Sequence, residues 1–185
     1  MISSWKYKDL EFSFIKESQI PEIIEILHDS EVEKYLYFAP IQIETFKSFC
    51  LPIIKQQKEA SAIFVVSQKG KLLGTCGIDK MPDGHNVAMI GYQLKRSAWG
   101  TGIGTCCAEF ILYYAKTYLK LRKLFGDCYA ANVASGRVLE KCGFKLEAVI
   151  KGKYELNGEI HDNNWYGLNV EDIQLLPDKV IEITE

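Results

Sequence analysis

The sequence predicts a mixed α/β (α+β) domain in three layers, a mostly antiparallel central sheet flanked by helices. Three observations carry this. Short β-branched and apolar segments follow one another between residues 62 and 94, the apolar spacing then changes to three- and four-residue steps, and Asn157-Gly158 separates two long strand-like segments near the C-terminus.

In chain order, Leu10 to Ile15 alternates apolar and polar residues as a first strand. Ser18 is placed to cap a helix with Pro21 in its first turn and Ile23, Ile24, Ile26 and Leu27 behind it. Residues 32–41 are aromatic and irregular, and a second helical stretch runs from Thr45 toward Lys58, interrupted or kinked near Pro52. Ala62–Ser67, Leu72–Ile78 and Val87–Leu94 form a meander, with turns at Lys69-Gly70 and Pro82-Asp83-Gly84. Ile103, Cys107, Phe110, Ile111, Tyr114, Tyr118 and Leu121 then mark an amphipathic helix, about 28 Å long if it spans 102–120. Leu124–Tyr129 reads as a strand. Ser135–Cys142 reads as a short helix closed by Gly143, with Phe144 packing back. Residues 144–156 and 159–170 flank Asn157-Gly158 as a hairpin, and the mixed acidic tail 171–185 is left unassigned. The order is βααββββαβαββ or very nearly, one middle strand more than the three segments named.

The 185 residues suit a single domain, with a core over about 10–170. With 48% hydrophobic and 25% charged residues the composition is that of a soluble globular protein. A net charge of −2 and a pI near 6.0 argue against a nucleic-acid surface, and no apolar run approaches the ~20 residues that span a bilayer. No signal or transit peptide is readable in residues 1–10, so a cytoplasmic protein without membrane or nucleic-acid partners is expected. The six cysteines form no C-x-x-C pair and the three histidines are far apart, which points to buried free thiols and no metal.

The chemistry concentrates in Leu94-Lys95-Arg96-Ser97-Ala98-Trp99-Gly100-Thr101-Gly102-Ile103-Gly104, between a strand and a long helix. Alternate glycines allow close backbone approach, and the helix start adds partial positive charge, so a pyrophosphate is the natural guest. Lys95 and Arg96 are candidates for further contacts to it. The spacing is not that of a dinucleotide-binding G-x-G-x-x-G after a first strand, and no Gly-Lys-Ser or Gly-Lys-Thr of a phosphate loop occurs.

Trp99-Gly100-Thr101-Gly102-Ile103-Gly104 resembles the acetyl-CoA pyrophosphate loop of the GNAT superfamily of N-acetyltransferases. It departs from the general form at Trp99, where a basic or amide residue is usual, and in this it is similar to the RimJ/RimL-like branch that acetylates ribosomal proteins. Asn132-Val133-Ala134-Ser135, followed by Glu140-Lys141-Cys142-Gly143-Phe144, resembles that branch's second motif, and Leu156 to Asp162 looks like its terminal hairpin.

The resemblance implies a GNAT fold and an acetyl-CoA-dependent acyltransferase that needs no metal. Strand 87–94 would splay from its neighbour, backbone N–H groups near Leu94 and Arg96 would hold the cofactor, and one near Gln93 or Leu94 would polarise the thioester carbonyl. The proton donor to the leaving thiolate would be Ser135, because the tyrosine that many relatives carry seven residues after the motif asparagine is Leu139 here; as a helix cap Ser135 has an equally ordinary role. Asn132 would bind the pantetheine or orient its loop. For a base, the position glutamate takes in some relatives is Met89, and Glu155 stands one residue from the place where RimL-like enzymes carry one. Glu155, Asp79 and His161 are candidates, with no assignment made. Tyr35, Tyr37, Phe38, Tyr154 and Trp165 are candidates to line the acceptor cleft.

The acceptor implied is a primary amine, either a protein N-terminus or a small molecule such as a polyamine, an amino acid or an antibiotic-like amine. A non-catalytic acyl-CoA-binding module is the alternative that Met89 and Leu139 keep open, and a nucleotide-binding protein is more distant. Homodimers are common among the proteins resembled, and the resemblance alone is the ground for expecting one here.

Overall fold

The computed structural model describes residues 2–37, 42–56, 61–81, 85–156, 158–174 and 179–184. Nine strands form one open mixed sheet: β1 (Ile2–Tyr7), β2 (Leu10–Phe14), β3 (Ala62–Gln68), β4 (Lys71–Lys80), β5 (Val87–Leu94), β6 (Lys123–Tyr129), β7 (Lys145–Leu156), β8 (Glu159–Asn169) and β9 (Ile181–Thr184), in the order β7-β8-β6-β5-β4-β3-β2-β1-β9. The helices are α1 (Ile20–Leu27), α2 (Ser30–Glu33), α3 (Ile43–Gln56), α4 (Ile103–Tyr118) and α5 (Val133–Lys141).

Strand alternation sorts side chains into two cores. On β3, Phe64 and Val66 join Trp5, Phe12, Phe110, Ile111 and Leu139 under α4 and α5, while Val65 joins Ile20, Ile24, Leu27, Phe46 and Cys50 under α1 and α3. Phe110 stacks on Phe12 at 4.0 Å and meets Phe64 edge-on at 5.0 Å. Three layers result, as expected. No helix among the described residues is long and apolar enough to cross a membrane.

Several elements differ from the sequence reading. Among the described residues there are three strands between α3 and α4, and the additional strands lie at the chain ends. β1 pairs with β2 through Trp5↔Phe12 and with β9 through Trp5↔Glu182. Residues 2–7 lack a long apolar run, yet Trp5 and Tyr7 alternate with Lys6 and are both buried. Helix α1 is entered from a short 3₁₀ turn at Glu17–Gln19, so Ser18 is not its cap. Residues 30–33 form a single helical turn whose Asp29 cap accepts from the Glu31 N–H at 2.9 Å. Helix α3 continues through Pro52. Turn 69–70 has both residues at positive φ, while Pro82-Asp83-Gly84 and Asn157 lie outside the described residues. Gly143 ends α5 at φ +92°.

What positions the site is a fork in the sheet. β5 pairs with β4 along its whole length, up to Gly74↔Leu94. Its parallel pairing with β6 stops at Met89↔Phe125, whereas β6 continues against β8 as far as Tyr129↔Asn163. Beyond Met89 the two strands diverge.

Candidate active site

A cleft of about 940 Å³ runs through this fork. One end is the glycine-rich turn. After the 3₁₀ turn Arg96–Ala98, Gly100 (φ +72°) and Gly102 (φ +87°) are left-handed, and Gly102 caps α4. Both conformations favour glycine, and a Cβ at either position would meet nothing within 4 Å, so the backbone is bare toward solvent there. The Trp99 indole N–H donates to the Leu94 carbonyl at 2.9 Å, and the Thr101 hydroxyl donates to the Ala98 carbonyl at 2.7 Å. These two bonds tie the turn to the end of β5. Trp99 therefore braces the loop at the position where a basic or amide residue would reach a ligand directly.

Of the residues expected to meet the cofactor, Gln93, Leu94, Trp99, Gly100, Gly102, Gly104, Asn132 and Ser135 line the cleft. Thr101 and Ile103 lie within the same turn, with Ile103 packed on the core. Lys95 and Arg96 point elsewhere. They border a separate open groove of about 700 Å³ with Glu22, Glu25 and Asp29, and Lys95 pairs with Glu22 at 3.7 Å. The Lys95 N–H is itself spent on the Leu73 carbonyl at 2.7 Å. Among the described residues, the cations that line the cleft are Arg137 and Lys141, one turn apart on α5. Sequence reasoning passed over them because they read as the exposed face of a short helix.

Ser135 is not the cap of α5. Asn132 is, its Oδ1 accepting from the Ser135 N–H at 3.1 Å. The Ser135 hydroxyl is thereby left to the Tyr92 hydroxyl, 3.0 Å away, and Tyr92 also donates to the Ser135 carbonyl at 3.2 Å. Burial pushes the Tyr92 phenol well above its usual value, with the Ser135 bond opposing more weakly. It stays a proton donor at neutral and moderately alkaline pH. In the sequence Tyr92 stands out only as a strand residue. Its partner lies 43 positions away, and no local pattern joins them.

The two faces of β5 serve the two ends of the cleft. Tyr92 and Leu94 face α4 and α5, while Met89, Gly91 and Gln93 face the side of α1 and α3. A Cβ at Gly91 would meet nothing within 4 Å, so the floor between Gln93 and Met89 is open. Asp79, the cross-strand partner of Met89, lines the cleft and accepts from the Ser61 hydroxyl at 2.6 Å.

At the far end stand Asp127, Tyr37 and Tyr129. Tyr37 stacks on Tyr154 at 4.4 Å and meets Tyr129 edge-on at 4.7 Å. The Tyr37 hydroxyl donates to Asn163 Oδ1 at 3.1 Å, and Asn163 Nδ2 donates to Asp127 Oδ2 at 2.9 Å. Burial, then the Asp127 charge, push the Tyr37 phenol far up.

Glu155 is not brought to this site. It is exposed and paired with Ile160, and because its neighbour Tyr154 turns its ring to Tyr37, strand alternation sends Glu155 to the opposite face. His161 lies against the Tyr129 ring at 5.3 Å. Tyr35 joins Tyr37 along the cleft, Trp165 packs on Phe125 behind it, and Phe38 lies outside the described residues.

Residues 9–145 match the family described as acetyltransferase (GNAT) domain. The chain is similar to YjcK of Bacillus subtilis, named a probable N-acetyltransferase, with 32% identity over 122 residues, 65% of this chain and 67% of that protein. It is 25% identical over 129 residues to the ribosomal-protein-serine acetyltransferase of Escherichia coli, covering 70% of this chain and 72% of the relative. Among solved structures, the spermidine N-acetyltransferase of Vibrio cholerae in complex with CoA and spermine shares the fold, with a TM-score of 0.80 at 18% identity over 89% of this chain and 98% of that one.

Proposed function

The chain belongs to the GNAT acetyltransferase domain family and is an acetyl-CoA-dependent N-acetyltransferase of that type, and from that premise we propose that its acceptor is the N-terminal α-amine of a protein or peptide. The observation that carries this reading is the composition of the acceptor end. Among the described residues lining the cleft, the carboxylates are Asp79 and Asp127, the first bonded to Ser61 and the second to Asn163. The remaining surface there is largely aromatic and apolar. A polyamine would call for several carboxylates spaced along its length, whereas a single α-ammonium followed by a peptide suits one carboxylate in an open aromatic cleft.

In this reading the backbone N–H groups of residues 100–104 and the start of α4 hold the pyrophosphate, with Arg137 and Lys141 adding positive charge. The pantetheine arm lies along the edge of β5 that β6 leaves unpaired, where the backbone at Gln93 and Leu94 polarises the thioester carbonyl. Amine and cofactor meet in one ternary complex at the bare floor beside Gly91. The bound ammonium first loses a proton to solvent, the neutral amine attacks and its nitrogen bonds the acetyl carbon, and the C–S bond breaks as the tetrahedral oxyanion collapses. The second proton shed by the nitrogen passes through water to the Ser135–Tyr92 pair and replaces the one the thiolate takes. The departing thiolate takes its proton from the Ser135–Tyr92 pair, which is protonated and bordered by the cleft.

The test is to supply acetyl-CoA with short peptides bearing free serine or alanine N-termini, the same peptides blocked at the N-terminus, and spermidine, following CoA release and the mass of the product. Acetylation of the free α-amines in preference to spermidine is expected. Preference for spermidine overturns the acceptor assignment and leaves the acyl-transfer assignment standing.

A further inference from the structure

We infer that Asp127 is the specificity-determining residue of the acceptor end, the carboxylate that receives the acceptor's ammonium, and that Lys153 is a built-in cation which the acceptor displaces. The inference deepens the acceptor reading above and rests on it.

Asp127 lies two residues beyond the last β5–β6 pair, where the fork opens, and its side chain is 14% exposed. A carboxylate so enclosed stays charged only if it is held and partnered. It is held by Asn163, which is fully buried and uses both ends of its amide, Oδ1 accepting from Tyr37 and Nδ2 donating to Asp127. This arrangement fixes the orientation of the carboxylate.

The partnering cation is Lys153, and its contact is loose. The nitrogen stands 3.8 Å from Asp127 Oδ2, an ion pair too long for a hydrogen bond. The same ammonium lies 4.8 Å from the centre of the Tyr154 ring and 5.0 Å from that of Trp165. The protein thus places an ammonium of its own between a carboxylate and aromatic faces, the surroundings that select a cationic amine. Lys153 sits on the hairpin strand β7, with its side chain 26% exposed, so it can swing to solvent when another ammonium approaches from the cleft. The acceptor side would be bounded by Asp127, Tyr37 and Tyr129, which line the cleft. The titratable groups facing Asp127 are Lys153, Tyr37, Tyr129 and Cys128.

The experiment measures steady-state acetylation of a serine-initiated tetrapeptide and of spermidine by the full chain, by Asp127→Asn and by Lys153→Met, with thermal midpoints recorded alongside. For Asp127→Asn, a rise of about tenfold or more in the KM of whichever amine is turned over is expected, with the acetyl-CoA KM held within about twofold. For Lys153→Met the amine KM falls by roughly threefold or more. A purely structural ion pair would lower both thermal midpoints and leave both amine KM values in place, and that result overturns the inference alone. A rise in amine KM for Lys153→Met also overturns it. Failure of the wild-type chain to acetylate either amine overturns the acceptor reading and this inference with it. Should Asp127→Asn not fold, the direction of the Lys153→Met change decides.

Discussion

The hydroxyl oxygens of Tyr92 and Ser135 stand 3.0 Å apart across the cofactor side of the cleft, one on β5 and the other in the first turn of α5. Asn132 caps that helix, so the Ser135 hydroxyl is not consumed by the backbone. In the proposed mechanism this pair takes the place of the tyrosine that many relatives carry where this chain has Leu139. Removing either hydroxyl should lower kcat by roughly 10- to 100-fold, the range of a lost general acid with a partial substitute, while leaving the acetyl-CoA KM nearly unchanged. Single-turnover rates of Ser135→Ala and Tyr92→Phe measure this. Unchanged rates in both variants remove the pair from the mechanism.

The raised Tyr92 phenol sets the sign of a pH effect. A phenol whose folded value lies above the unfolded ~10 contributes stability that is complete below that pH and is lost as pH rises through the folded value. The rate of acetyl transfer should therefore show no loss near pH 10 assignable to this phenol, and Tyr92→Phe should leave the shape of the alkaline limb unchanged.

Arg137 is expected to act on the cofactor alone. Arg137→Gln should raise the acetyl-CoA KM by roughly threefold to tenfold with little change in kcat, and the deficit should shrink as ionic strength rises, because the interaction is a screened charge contact at an exposed residue. A larger effect on kcat than on KM would contradict this placement.

Gly102 at φ +87° is a position an L side chain occupies only with strain of about 1–2 kcal/mol. Gly102→Ala has space for its methyl group, so the penalty falls on the backbone of the loop. Binding of acetyl-CoA should weaken by about tenfold, as 1.4 kcal/mol corresponds to that factor. Titration of the variant checks it.

Five of the six cysteines are buried, and Cys106 is half-buried. Burial lifts Cys50 and Cys128 to about 11 and Cys142 to about 12. Because the thiolate is the reactive form, native protein at pH 7.5 should react at Cys106 ahead of all others, and slowly, with the remaining five labelled only after denaturation. Mass spectrometry of the labelled protein resolves the positions.

What was legible in the sequence was what local pattern encodes. The meander, the long helix over residues 103–118, the Gly-rich turn and the terminal hairpin each carry their own period or turn residues, and each was found within two residues or so of its observed ends. β1 escaped because residues 2–7 lack a long apolar run, and β9 because its pairing with β1 joins opposite ends of the chain, as the Ser3 hydroxyl bonding the Ile183 carbonyl 180 positions away illustrates. The site divides the same way. Gly100 and Gly102 announce themselves, whereas Asp127 and Asn163 become neighbours only through the β6–β8 register. Glu155, a candidate base with no assignment made, lies on the other face by parity: with a repeat of two, a single residue separates the face of Tyr37 from its opposite.

The most direct test of the account is calorimetric titration of the purified chain with acetyl-CoA, with ATP and NAD as controls and Gly91→Val as the variant that fills the floor of the fork. Saturable binding of acetyl-CoA alone at one site per chain is expected, with strongly weakened binding to a variant whose thermal midpoint is unchanged. Equal or tighter binding of ATP or NAD, or undiminished acetyl-CoA binding to Gly91→Val, would contradict the assignment of the cofactor to this cleft.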